Sequence, residues 1–257
     1  MLPFPAVPAS LLAVLQNASV FTAPSFAAFA ALVVGLVGQT GKRTVTGMLV
    51  GAGLERCWPH DRVHSFFSRA AWNADLLGIR LSHLIVRTLI GADAPITLAV
   101  DDTLFKRSGK KVFGAAWQHD GAAKGPHPVG RGTCFVVVAI VVELPFASRP
   151  VALPVMARLH RPKQGPSKVE QASAMIRLLA ACHHGRTVHV VADAAYHGKA
   201  LRELRDGATI TTGWPPTPCC TTSRRRLPAS AADPRSRAPV WGSRPIWPRS
   251  RPSPEPR

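Results

Sequence analysis

Acidic side chains are scarce in this chain: 14 Asp and Glu stand against 32 Lys and Arg in 257 residues, a formal charge of +18. A surplus of that size points to a polyanionic partner, either nucleic acid or an anionic membrane face. Cysteine is scarce too. The five residues, Cys57, Cys134, Cys182, Cys219 and Cys220, are odd in number and irregular in spacing, in a chain too long for a disulfide-stapled miniprotein. Reduced thiols of a cytosolic protein are the reading.

Charge is absent from residues 1–41, yet no long hydrophobic run fills that stretch. Its strongest apolar segment, "FAAFAALVVGLV", is about half the ~20 residues a bilayer-spanning helix needs, and Pro24 closes it on the amino side. A signal peptide carries its cations ahead of the apolar stretch, whereas Lys42 and Arg43 follow it here. A buried helix is favoured, with a membrane anchor over residues 25–37 as the alternative. "GxSxG" does not occur, so no nucleophile elbow supports Ser–His–Asp chemistry. "GxxxxGK[ST]" does not occur either, so phosphate chemistry here does not imply ATP. No internal repeat is present.

What is present divides in three. Residues 25–37, 44–54 and the stretch "HDRVHSFFSRAAWNADLLGIRLSHLIVRTLIGAD" carry apolar residues at helical spacings, with Phe66, Phe67, Trp72, Leu76, Leu77, Leu81, Leu84, Ile85 and Leu89 as expected buried stripes. From Pro95 the pattern turns to β. "ITLAVDDTLF", a short strand over residues 112–117, "TCFVVVAIVVELPF" and "RPVALPVMARLH" read as strands, and "SKVEQASAMIRLLAACHHG" opens with a Ser167/Glu170 capping box and reads as a helix. "TVHVVADAAYHG" is a strand running into an acid, followed by a short helix "KALRELR" and a last strand "ATITT". Antiparallel hairpins followed by βαβ predict an α/β fold: a mixed sheet with helices packed on it, after a helical amino-terminal region. The expected division is 1–94, 95–212 and a tail at 213–257, where 11 of the 24 prolines and nine arginines predict disorder.

Asp101 and Asp193 sit in near-identical contexts, "LAVDD" and "VVADA", each where a β-run gives way to acid. If those strands are neighbours, both carboxylates emerge at one edge. Two close anions repel unless a cation lies between them, and oxygen donors suit a hard divalent ion, Mg²⁺ or Mn²⁺. Such ions suit phosphoryl transfer. Lys106, Arg107, Lys110 and Lys111, just beyond Asp101, would then hold a nucleic-acid backbone, and the loop "RPKQGPSK" offers Lys163 and Lys168 for the same purpose. The plainer readings are turn-capping acids and a solvated loop. Asp102 is open to two roles, a cap for a turn at Thr103 or a ligand itself.

"LAVDDTLFKRSGKKVFGAAWQHD", "GTCFVVVAIVVELPF", "RPVALPVMARLHRP" and "VHVVADAAYHGKAL" resemble the catalytic domain of DDE-superfamily insertion-sequence transposases, and "FTAPSFAAFAALVVGLV", "GKRTVTGML" and "HSFFSRAAWNADLLG" resemble their helical amino-terminal part. The resemblance runs from about residue 20 to 212. It implies a ribonuclease-H-like fold, metal-dependent cutting of DNA at transposon ends and attack of the freed 3′-hydroxyl on target DNA. It implies a bacterial cytoplasmic, nucleoid-associated protein, with a homodimer among the expected assemblies and no membrane partner. Asp101 corresponds to the family's first catalytic acid and Asp193 to its second, and Tyr196 matches an aromatic position common after the second.

The family's third acid, a Glu on a helix well downstream, has no counterpart. Glu203 follows Asp193 too soon and Glu255 sits among prolines and arginines. A shifted reading frame past Thr212, giving a truncated and inactive copy, is the expectation, with a non-catalytic DNA-binding remnant as the alternative. Two further constellations are weaker. Cys57, His60 and His64 lack a fourth zinc ligand, and Cys182, His183, His184 and His189 read as a helix-end cation cluster. Trp72 and Trp117 read as core residues.

Overall fold

The computed structural model describes residues 7–17, 20–41, 43–123, 128–204 and 208–212. All fall in one compact unit, residues 1–216; the expected disordered tail, Glu255 included, lies outside the described residues.

The amino-terminal half is helical: α1 (Ala9–Asn17), α2 (Ala23–Gly38), α3 (Val45–Gly51), α4 (His60–Ser68) and α5 (Ala74–Leu89). Of these, α1 was not legible in the pattern. Pro24 stands in the first turn of α2, where its missing N–H costs nothing. Most of the apolar run of α2 is core: Ala28, Ala31 and Leu32 pack with Leu49, Leu54, Trp58, Val63 and Phe66, while Leu36 and Val37 at its end are exposed. Small residues let α2 and α3 touch backbone to backbone, since a Cβ on Gly35 would stand 1.7 Å from the Met48 carbonyl oxygen. No described helix is long and apolar enough to cross a membrane.

In α5 the buried residues are Gly78, Ser82, Ile85 and Val86. Several members of the expected stripe lie outside: Phe67 is 57% exposed, Leu76 and Leu89 are each 42% exposed, and Trp72 is 37% exposed. The helix lies so close on the sheet that a Cβ on Gly78 would come within 2.5 Å of the Val155 carbonyl oxygen. Closeness selects Gly78 and Ser82 at that contact, while Leu76 and Leu89 turn outward. Trp72 still stacks on Phe66, at 6.0 Å between ring centroids.

The sheet has six strands: β1 (Ile96–Lys106), β2 (Ala116–His119), β3 (Val129–Val142), β4 (Val151–His160), β5 (Val188–Ala192) and β6 (Ala208–Thr212). The second strand begins four residues later than expected. The long valine-rich β3 pairs antiparallel with β1, β2 and β4, while β1, β5 and β6 pair in parallel. This is the mixed sheet the sequence predicts. Helix α6 (Lys168–Cys182) carries the reciprocal Ser167/Glu170 capping box, and α7 (Lys199–Arg202) packs on it.

Alternation sorts the sheet into two faces. The inner face buries Ile96, Leu98, Val100, Val136, Val138, Ile140, Val188 and Val190 against Ile85, Met175, Ile176 and Leu179 of α5 and α6. The outer face carries Thr97, Ala99 and Asp101 of β1 beside Val191 of β5, which is 41% exposed. Helices α5 and α6 pack on the inner face.

Candidate active site

The parallel ladder between β1 and β5 ends at the pair Val100 and Ala192. The next residue on each strand is Asp101 on β1 and Asp193 after β5. Neighbouring strands run about 4.8 Å apart, and both acids are exposed. Each turns one oxygen back on its own chain: Asp101 Oδ1 accepts from the Asp102 N–H at 2.7 Å, and Asp193 Oδ1 accepts from the Ala194 N–H at 2.6 Å. The second oxygen of each has no hydrogen bond among the described residues. The β-run does not stop at Asp101, because β3 pairs with β1 through Lys106 and holds Asp101 opposite Val137. It is β5 that stops, where Asp193 starts a 3-10 turn (Ala194–Tyr196).

Asp102, one residue on, belongs to the inner face. Its Oδ2 accepts from Lys168 Nζ at 2.6 Å and from the Cys134 thiol at 3.3 Å, and its Oδ1 accepts from the Tyr196 hydroxyl at 3.2 Å. It caps no turn at Thr103, since the strand continues. Burial raises the Asp102 carboxyl, but the donors of Lys168, Cys134 and Tyr196 outweigh it and hold the group below the usual carboxylate range. Burial lowers the Lys168 ammonium, and its bond to Asp102 more than restores it. The Cys134 thiol is pushed up to about 11 by burial and by Asp102, so it stays a donor. Tyr196 is buried and its phenol is raised, by burial and then by Asp102. Sequence reasoning singles out Asp102, Lys168 and Tyr196 separately, but nothing in it shows that they meet one another and Cys134.

The expected DNA-facing cations separate. Lys106 pairs with the buried Asp120 at 2.7 Å, and Lys168 pairs with Asp102; both lie on the inner side, away from Asp101. Arg107, Lys110 and Lys111 lie exposed in the loop from β1 to β2. That loop is held by Arg131, unnoticed in the sequence, whose guanidinium donates to the carbonyls of Arg107, Gly109 and Lys110 at 3.2, 2.8 and 3.3 Å. Lys163 is exposed at the turn before α6, with φ of +64°.

Among the described residues no group of three or more His, Cys, Asp or Glu forms a metal cage. Cys57 is an exposed free thiol. His183 is not the helix-end cation expected: it is buried 2.9 Å from the Ser82 hydroxyl, with its ring 4.6 Å from that of His83. Burial, then the charges of His83 and Arg186, push it down to about 4. Trp117 is 69% exposed on β2, at the end of the strand order, and so is no core residue. Glu203 ends the four-residue α7 and lies 3.7 Å from Lys199.

A family model described as DDE superfamily endonuclease matches residues 18–256. The chain belongs to this family. No curated protein matches it. The match extends the likeness past Thr212, where the motif-by-motif resemblance stops. DDE endonucleases generally use divalent metal ions and act on DNA. Oxygen donors fit a hard divalent ion, and this DDE chain offers two: paired carboxylates on adjacent strands, exposed, each with an oxygen to spare. A Mg²⁺ site commonly takes one or two protein carboxylates and completes its shell with water and substrate phosphate.

Proposed function

We propose that this DDE-family chain is a transposase-type DNA endonuclease whose metal-binding acids are Asp101 and Asp193, acting on insertion-sequence ends and target DNA at the bacterial nucleoid. The observation that supports the reading is the register of β1 and β5, whose last pair, Val100 and Ala192, immediately precedes the two acids. A divalent ion bound there, Mg²⁺ or Mn²⁺, supplies Lewis acidity and offsets charge on the phosphate. Arg107, Lys110, Lys111 and Lys163 contact the DNA backbone and position it without reading its sequence. Lys106 and Lys168 serve in ion pairs instead.

No described residue places a third carboxylate beside the pair, and this favours a second reading: a copy inactive in strand transfer that keeps the DNA-binding surface. One assay separates the two. Purified protein is incubated with supercoiled plasmid, with Mg²⁺ or Mn²⁺ and with EDTA. Metal-dependent nicking that disappears in Asp101→Ala and in Asp193→Ala supports the nuclease. Binding without nicking selects the inactive copy. Nicking that survives both substitutions refutes the assignment.

A further inference from the structure

The outer face that carries Asp101 continues along the sheet. Two residues on, Thr103 pairs with Phe135; two further, Phe105 pairs with Thr133. Across β3, Arg131 pairs with Trp117 of β2. Pairing and alternation put Asp101, Phe105, Phe135, Arg131 and Trp117 on one side of the sheet. Two of these aromatics are open to solvent, Phe105 at 47% and Trp117 at 69% exposure, and Phe105 is steadied edge-on by Phe135 at 5.9 Å. Phe113 in the adjoining loop is 72% exposed and lies under the Arg161 guanidinium at 5.1 Å. Arg131 holds the same loop, with its Arg107, Lys110 and Lys111, alongside.

We infer that this stretch is a base-stacking platform for an unpaired DNA strand, leading away from the acid pair toward Trp117. The inference rests on the reading that the acid pair works on DNA, and it adds the form of the substrate. Exposed aromatics interleaved with cations are the means by which proteins hold single strands: the cations follow the phosphates and each ring receives a base face. Duplex DNA hides those faces, so the rings are useful only where the strand is open. The dimensions agree. Four residues of β-strand from Asp101 to Phe105 span about 13 Å, the length of about four stacked nucleotides at ~3.4 Å each. Charge complementarity selects this occupant over an apolar one, because the rim is cationic and the whole chain carries +18.

The test is binding of the full chain, in EDTA so that nothing is cut, to a labelled 12-nucleotide single strand and to the same sequence as a blunt duplex. Trp117→Ala is expected to weaken the single strand tenfold or more and the duplex less than twofold, with the salt dependence unchanged; Lys110→Ala with Lys111→Ala weakens both and flattens the salt dependence. A 2-aminopurine in the strand is expected to be quenched by the wild type and by Trp117→Phe, but not by Trp117→Ala. Circular dichroism confirms that the variants fold. Equal losses on both DNAs, no loss on either, or quenching that survives Trp117→Ala overturns the platform. Asp101→Ala keeps the two ideas apart: it removes nicking and leaves binding in EDTA intact. Nicking without single-strand preference defeats the platform alone, and preference without nicking defeats the nuclease alone.

Discussion

The Tyr196 hydroxyl donates to Asp102 Oδ1 at 3.2 Å, joining the residue after Asp101 to the residue three beyond Asp193. The two strands that present the acid pair are thus tied from behind, through the buried side of the sheet. The tie is completed by Lys168, which brings in the amino end of α6.

Removing the hydroxyl in Tyr196→Phe leaves the ring in its buried place and deletes one bond to a carboxylate. The expected loss of stability is about 1–2 kcal/mol. With the tie gone the acid pair is held less tightly, so Mn²⁺ affinity followed by electron paramagnetic resonance is expected to fall severalfold while the far-ultraviolet circular dichroism stays as it was.

Lys168→Met leaves Asp102 without its cation in a half-buried setting, with side-chain exposures of 27% and 21% for the pair. Such a pair lies between surface and buried cases, and the expected cost near neutral pH is about 2 kcal/mol. Burial alone raises the Asp102 carboxyl, but Lys168 and the other donors bring it below the usual range in the folded state. Its contribution is therefore present above the unfolded value of about 3.9 and lost as pH falls through the lower folded value. Chemical denaturation is expected to show a wild-type advantage at pH 7 that shrinks below pH 4.

His183 titrates in the opposite sense to the helix-end cation the sequence predicts. Burial, His83 and Arg186 hold it down to about 4 in the folded chain, against about 6.5 unfolded. Between those values the unfolded chain binds a proton that the folded chain does not, so stability falls as pH drops from about 6.5 to about 4. Melting temperature against pH measures this, and His183→Gln is expected to flatten the slope in that window.

Gly35→Ala places a methyl group 1.7 Å from the Met48 carbonyl oxygen, a clash with backbone that no rotamer relieves. The α2–α3 contact must open, at an expected cost of about 3 kcal/mol, read as a lowered melting temperature.

Much of this arrangement was legible because local signals and tertiary structure agree. The valine-rich β3, the capping box at Ser167 and the apolar runs ending in "VDD" and "VAD" each carry their own information, so the strands and helices of the mixed sheet follow from pattern. What was not legible depends on contacts between distant residues. The apolar periodicity of α5 does not reveal that Gly78 and Ser82, rather than Leu76 and Leu89, meet the sheet, because closeness of packing is set by β4. Nothing near Asp102 or Lys106 in sequence shows that Lys168 and Asp120 will claim them. Arg131, in "VGRG", looks like one cation among many until β3 brings it under the loop it holds. Trp117 reads as core because tryptophan usually is, and only its place on the end strand β2, paired with Arg131, shows it bare.

The claim that Asp101 and Asp193 together bind a divalent ion is tested most directly by iron(II)-directed cleavage of the polypeptide, in which an ion seated at the site generates radicals that cut the nearest backbone. The expected fragments end near residues 101 and 193, fade with excess Mg²⁺ and are absent from Asp101→Asn. No cutting at either position, or cutting unchanged in that variant, contradicts it.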